Sequence, residues 1–295
     1  MKLVVLGHGY SAGFLTRLLV PRGWEVVGTT REGKSRVAAD GARPLHWPGE
    51  EEAVRSELAS ADAILIGAAP DEAGDPALRD FADAIAASPA PWLGYLSTTG
   101  VYGDRDGGWV DESSSLNPTT RRGRARVTAE ADWQALALAH DLPLHIFRLA
   151  GIYGPGRGPF AKLRAGTARR IVKPGQVFSR IHAEDIAQVL AASIARPDPG
   201  AIYNLCDDDP APPQDVIAHA AELLGVPVPE AEPFDTVGMT PMARSFYADS
   251  KRVRNDLIKR DLGVRLRYPD YRSGLAAVLA AEQANRLASR ETVGR

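Results

Sequence analysis

The chain has 295 residues, of which 37 are acidic and 35 basic, for a formal net charge of −2. This length suits one large domain or two modest ones, and the near-neutral balance gives no basic excess to attract nucleic acid or an anionic membrane. The single cysteine, Cys206, excludes an internal disulfide framework and a cysteine-based zinc site.

The apolar run at the N-terminus is too short for a signal-peptide core. No stretch approaches the roughly 20 apolar residues of a membrane span, so a cytoplasmic location is expected. Basic residues are unevenly split, with 6 Lys against 29 Arg. Nucleotide bias in the genome explains such a split, but the two side chains differ in chemistry.

Taken in chain order, short buried strands are predicted at 3–6, 25–28, 63–66, 92–97 and 144–149. Helices are predicted at 14–20, 76–87 and 124–139, with a turn at Arg22 and Gly23. Strands alternating with helices argue for a parallel sheet covered on both faces. Residues 151–159 hold four glycines and two prolines and read as a loop. A core helix at 183–195 and a strand at 201–205 follow. Asp207 to Asp209 open an acidic, proline-rich stretch that reads as solvated loop. A helix at 214–224, an irregular stretch at 226–241 and closing helices at 250–260 and 272–286 complete the chain.

Directly after the first strand comes Gly7-His8-Gly9-Tyr10-Ser11-Ala12-Gly13. The first glycine permits a tight turn, and the second lets backbone approach a pyrophosphate. A small residue at Ala12 lets helix and strand pack closely. A helix N-terminus then faces the phosphates with free N–H groups. This placement between strand and helix predicts dinucleotide binding by Gly7, Gly9, Tyr10, Ser11 and Ala12. At the end of the second strand an NAD site usually carries an acid for the ribose 2′-hydroxyl. Here Thr29, Thr30 and Arg31 stand instead, so a 2′-phosphate is favoured and NADP is preferred over NAD.

Four stretches resemble the extended short-chain dehydrogenase/reductase superfamily, which includes the NAD(P)-dependent epimerases and dehydratases. They are Leu96 to Asp104, Arg148 to Gly156, Arg180 to Ala187 and Tyr203 to Leu205. The resemblance implies a Rossmann-type doubly wound α/β fold with a smaller, less regular C-terminal substrate-side part. It divides the chain into a cofactor domain at 1–156 and 178–206 and a substrate-side region at 157–177 and 207–281. Residues 282–295 are expected to form a frayed tail. Ala68 and Ala69 match a small-residue loop near the cofactor ribose. Thr98 matches the Ser/Thr that orients the substrate oxygen. Pairing of two copies through the long helix at 124–139 is a further implication.

The family's general acid/base is a Tyr, with a Lys four residues on. A Glu commonly follows the Lys by four more, and Glu130 fits that place. Arg126 then takes the Lys position and Arg122 the Tyr position. No Tyr occurs between Tyr102 and Tyr153, and no Lys between Lys34 and Lys162. The chain therefore resembles the divergent branch that lacks the Tyr-x-x-x-Lys motif. Arg122 cannot be a general base, because guanidinium stays protonated. Tyr102 and Tyr153 are the candidate replacement acids, with Arg122 or Arg126 near enough to lower a phenol pKa. Arg157, Arg164 and Arg180 are candidate anion binders, with Arg164 better explained by a surface ion pair. His8 and His182 are expected to bond locally. The histidines show no metal-ligand spacing, so no metal is expected.

The function expected from the resemblance is an oxidoreductase or epimerase/dehydratase. Its substrate would be small and polar, anionic or sugar-like, and its acid/base non-standard. The alternative is a non-catalytic NADP-binding redox sensor or regulatory protein.

Overall fold

The structure is a computed structural model that describes residues 1–240, 244 and 246–293, with side chains to residue 284. Its centre is a seven-stranded parallel sheet. The strands are β1 (Lys2–Leu6), β2 (Glu25–Thr30), β3 (Arg43–His46), β4 (Ala63–Ile66), β5 (Leu93–Thr98), β7 (Leu144–Leu149) and β11 (Ile202–Leu205). Their order is β11-β7-β5-β4-β1-β2-β3. The chain winds outward from β1 through β2 to β3, crosses back to β4, and winds the other way. This doubly wound order leaves a crevice between β1 and β4 at the carboxyl ends of the strands.

The sheet is covered on both faces. Leu3 and Val5 point to one face, where helix α1 (Tyr10–Leu19) and helix α7 (Ala183–Ala195) contribute Leu15, Leu19, Ile186 and Leu190. Val4 and Leu6 point to the other. There they meet Val54 of α3 (Glu51–Leu58), Phe81 of α4 (Pro76–Ala86) and Trp133 of α5 (Arg121–His140). The period of two on a strand sorts these side chains, and burial on both faces makes the strand sequence continuously apolar. A separate apolar cluster lies on the substrate side. It joins Phe160 and Leu163 of α6 (Phe160–Arg164), Val216 and Ala220 of α8 (Pro213–Leu224), and Tyr271, Leu275 and Val278 of the C-terminal helix Tyr271–Val293.

Several sequence expectations are corrected. The first helix starts at Tyr10 rather than 14, because the loop itself enters the helical turn. Elements α2 (Lys34–Ala39), β3 and α3 have sparse apolar residues and so leave no clear pattern in the sequence. The loop expected at 151–159 begins with strand β8 (Gly151–Tyr153), which pairs in parallel with β10 (Arg180–His182). The helix expected at 250–260 is instead strand β13 (Arg252–Val253), paired with β6 (Trp109–Val110), and a short helix at Asp256–Arg260. Both errors have one cause: such strands are stabilised by partners distant in sequence, which local pattern does not show. The last helix runs on to Val293. Pro241, at the end of the expected irregular stretch, lies outside the described residues. Among the described residues, no helix is long and apolar enough to cross a membrane. No group of three or more His, Cys, Asp or Glu among them is placed to hold a metal ion.

Candidate functional site

Gly7 follows β1 and turns the chain at φ +87°, a conformation that favours glycine. A Cβ on Gly7 would sit 2.5 Å from the Ala68 nitrogen, and one on Gly67 would sit 2.6 Å from the Gly7 carbonyl oxygen. These two contacts bring the ends of β1 and β4 together at the crevice. Gly9 is different. Its φ is −94°, open to any residue, and a Cβ there would have no protein atom closer than 3.9 Å. Its missing side chain leaves space, and that space is the cleft. Helix α1 starts at the next residue with no side-chain cap and no acid in its first turn. Its uncapped N–H groups and positive dipole end suit a pyrophosphate. Tyr10, Ser11 and Ala12 line the cleft at this point.

One end of the cleft is a chamber of about 400 Å³ lined by Thr29, Thr30, Arg31, Trp47, Ala68, Ala69 and Arg79. The Thr29 hydroxyl accepts from the Gly7 N–H at 2.8 Å and so fixes the glycine turn. The Thr30 hydroxyl donates to the Glu32 carbonyl. Arg31 is exposed at the rim. Arg36 reaches back to donate to the His8 carbonyl at 2.6 Å, while Lys34 pairs with Glu50 at 2.8 Å. His8 is buried and packs over Gly28. Thr16 donates its hydroxyl proton to the Ala12 carbonyl, so at 2.8 Å its oxygen accepts from His8 Nε2. Burial lowers the His8 pKa, keeping the ring neutral inside the loop. His8 thus bonds locally.

The middle of the cleft has a volume of about 960 Å³ and runs from the glycine loop past Ala69 to Thr98, Arg122, Arg126 and Arg157. It opens into a third chamber of about 430 Å³, with Thr98, Thr99, Arg122, Gly151 and Ile152 shared between the two. The shared linings make one channel. It leads from the glycine loop to a pocket walled by Tyr153, Phe178, Arg180, Asp249 and Lys251.

Thr98 stands at the junction, at the end of β5. Its oxygen accepts from the Gly100 N–H at 3.1 Å, which leaves its own proton free to donate. Arg122, at the start of α5, is exposed and lines both chambers. Arg126, one turn on, is half-buried. Its Nη1 donates to the Tyr95 hydroxyl at 2.8 Å and the Leu96 carbonyl at 2.7 Å. Arg157 stacks over the Tyr10 ring at 5.6 Å, and Tyr10 donates to the Pro155 carbonyl at 2.9 Å. Arg164 pairs with Glu282 at 2.6 Å, on the surface.

Neither candidate tyrosine is available for proton transfer in the cleft. Tyr102 is fully buried and lines none of the chambers. It donates to Asn204 at 2.7 Å and accepts from Arg148 at 3.0 Å, and burial pushes its pKa up to about 12. Tyr153 forms part of the pocket wall, but its hydroxyl is turned to the Asp270 carbonyl at 3.3 Å, against Gly274. Burial and the nearby carboxylates of Asp207, Asp185 and Asp270 raise its pKa further still. The cations that act on the two phenols are Arg148 on Tyr102 and Arg180 on Tyr153, not Arg122 or Arg126, and desolvation outweighs both.

Behind the junction lies a buried ion pair. Glu130 and Arg148 meet at 2.7 Å with side chains 2% and 4% exposed. Ser97 donates its hydroxyl to the same carboxylate. The family-like glutamate of α5 therefore ties α5 to β5 and β7, one residue from Thr98. His182 caps α7, its Nδ1 accepting from the Glu184 N–H at 3.2 Å. Burial lowers its pKa to about 4.

The acidic stretch at 207–209 is only partly solvated. Asp208 binds Lys259 and Asp209 binds Arg272. Asp207 is instead 1% exposed, tucked below Arg180, and neither carboxylate oxygen has a hydrogen-bond partner in the protein. Burial pushes its pKa up to about 8, against the pull of Arg180. A carboxyl raised in this way takes up its proton in the folded state before the unfolded one does. It adds stability as pH falls from about 8 toward the unfolded value near 4, and removes it as pH rises. Asp207→Asn should therefore melt above the parent at pH 8, with the gap closing toward pH 5. Parallel melting curves across that range check this, and a gap that widens on acidification would overturn it.

Trp47, Arg79, Asp249 and Lys251 belong to the site without any local sequence motif marking them. Trp47 lies beyond β3, a strand the pattern did not reveal. Lys251 had one available signal, as one of only six lysines. It is 8% exposed, and its ammonium pairs with Asp249 at 3.1 Å. Burial lowers its pKa, against the pull of Asp249.

Residues 78–206 match the model of the NAD dependent epimerase/dehydratase family. The chain is 30% identical over 287 residues to Protein YeeZ of Escherichia coli (strain K12), covering 91% of this chain and 97% of that protein. A solved structure of a functionally unknown conserved protein from Silicibacter pomeroyi DSS is 60% identical. It superposes with a TM-score of 0.90 over 95% of this chain and 98% of that one. DesIV, a dTDP-glucose 4,6-dehydratase from Streptomyces venezuelae solved with NAD and TYD bound, shares the fold at 20% identity. Its TM-score is 0.78 over 97% and 98% of the two chains. With its doubly wound sheet, its glycine loop, the family model at 78–206 and a relative matched along nearly its whole length, the chain belongs to the NAD dependent epimerase/dehydratase family.

Proposed function

We propose that this protein is an NADP-dependent oxidoreductase or epimerase/dehydratase acting on a small polar substrate. The observation that carries the reading is the single channel joining the glycine loop to Thr98 and the pocket beyond. Gly7, Gly9 and the uncapped start of α1 hold the pyrophosphate, with Ala68 and Ala69 beside the ribose. Thr30 and Arg31 face the 2′-phosphate. A nicotinamide bound here supplies hydride transfer. Thr98 donates to the substrate oxygen where negative charge gathers, and Arg126 holds the floor of the cleft through Tyr95 and Leu96. Family relatives such as DesIV bind NAD. Preference for NADP rests on this chain's own Arg31 and on the lack of an acid at the end of β2.

A fluorescence titration with NADPH and NADH tests the reading. NADPH should bind more tightly. Arg31→Glu should weaken NADPH by about tenfold or more while sparing NADH, since a guanidinium–phosphate contact contributes about 1.5–3 kcal/mol. Tighter NADH binding by the parent chain would overturn the NADP assignment, and failure to bind either would sink the function.

A second reading is a non-catalytic NADP sensor. Its support is the pair Arg122 and Arg126, which stand where the family keeps its proton-transfer Tyr and Lys. A sensor would bind NADPH and NADP with strongly different affinities and show no turnover of cofactor with any carbonyl substrate.

A further inference from the structure

The third chamber carries more charge than a generic polar pocket needs. Three cations line it, Arg122, Arg180 and Lys251, against one carboxylate, Asp249. Arg180 is half-buried, and its Nη1 donates only to the Phe178 and Ala211 carbonyls, at 3.0 and 2.9 Å. Among the described residues, neither Arg180 nor Arg122 has a carboxylate within ion-pair distance. The carboxylate that acts most on Arg180 is Asp207, whose oxygens stay unbonded. Lys251 uses one of its three ammonium donors on Asp249 and keeps two. The rest of the wall is largely apolar, with Ile152, Tyr153 and Phe178. Arg180 is thus partly withdrawn from water without an ion-pair partner, which is costly, and a low-dielectric wall strengthens its pull on an incoming anion.

Resting on the reading above, we propose that this chamber is an oxyanion receptor. Arg180, Lys251 and Arg122 bind a carboxylate or phosphate group of the substrate and so hold its oxygen-bearing carbon beside Thr98. The chamber's volume of about 430 Å³ admits a small molecule bearing such a group. Guanidinium presents a planar fork that matches either anion, so the cations alone do not choose between the two.

The test is calorimetric titration of the full chain with inorganic phosphate and, separately, with malonate at constant ionic strength. Each titration is run alone and with NADP present, which displaces anion from the glycine loop. Saturable binding of at least one probe that persists with NADP is expected. The stronger probe identifies the substrate's anionic group. Lys251→Gln should weaken that binding about tenfold, as loss of one charged hydrogen-bonding partner does. Lys251→Arg should restore most of it, and both variants should bind NADPH as the parent does. Arg180→Gln should lose the anion as well. Its buried site makes a fold check by melting temperature part of the measurement, and the exposed Arg122→Gln provides a further arm. If neither anion saturates, or Lys251→Gln binds them as the parent does, the receptor is overturned. A failure of NADPH to bind while the anion titration holds would instead sink the function and leave the anion site standing.

Discussion

Glu130→Ala should destabilise the fold by about 3–5 kcal/mol, the cost of stranding a buried charge without its partner. The alanine leaves Arg148 96% buried by side chain, with a guanidinium that cannot lose its proton. It also removes the acceptor of the Ser97 hydroxyl, next to Thr98. The fall in melting temperature measures the first effect. A double variant, Glu130→Met with Arg148→Met, should recover more than half of the loss, because two apolar side chains leave no charge to desolvate. A single variant that melts within about 1 kcal/mol of the parent would show that water reaches the pair. The pair also has a functional consequence. It joins α5 to β5 and β7, so its loss should loosen the relation between Thr98 and Arg126 and weaken NADPH binding beyond what stability alone predicts.

Gly9→Val should do the reverse, losing the cofactor while keeping the fold. The backbone at Gly9 is extended, and a Cβ there meets no protein atom closer than 3.9 Å. The cost to folding is the poor capping of valine, about 1 kcal/mol. The branched side chain would instead fill the place of the pyrophosphate above α1. NADPH affinity should fall by at least about a hundredfold, or roughly 3 kcal/mol. Gly7→Val is the contrasting control. With φ at +87° and the Ala68 backbone 2.5 Å from a Cβ, it should damage the fold itself. If Gly9→Val binds NADPH normally, the dinucleotide does not lie on this loop, and the proposed function loses its anchor.

These two glycines separate what a motif records from what a fold decides. Both were visible as a motif, because the turn and the close approach need glycine whatever surrounds them. The motif did not say which glycine serves the fold and which the ligand. That distinction depends on Ala68, 61 residues away in the chain, lying against Gly7 and on nothing lying against Gly9. The tyrosines make the same point. Tyr102 and Tyr153 flank the right strands, and the sequence offered no other phenol between Thr98 and the end of the β7 loop. Only the fold shows one pinned between Asn204 and Arg148 and the other turned toward Asp270.

The doubly wound sheet, the glycine loop and Thr98 at the end of β5 were all legible in the sequence alone. These follow from short-range regularities: unbroken apolar runs on strands buried on two faces, turn chemistry that only glycine permits, and residue types at fixed spacing. The tertiary structure decided what those residues face. It gave both tyrosine hydroxyls partners within the protein, buried Asp207 without a partner, and paired Glu130 with Arg148. It also brought Lys251, the residue just before a strand paired with Trp109 and Val110, into the chamber of Arg180 and Thr98. Burial, counter-ions and hydrogen-bond partners set the charge and reach of each group. Here they come from segments up to about 150 residues apart in the chain, a separation that no local pattern records.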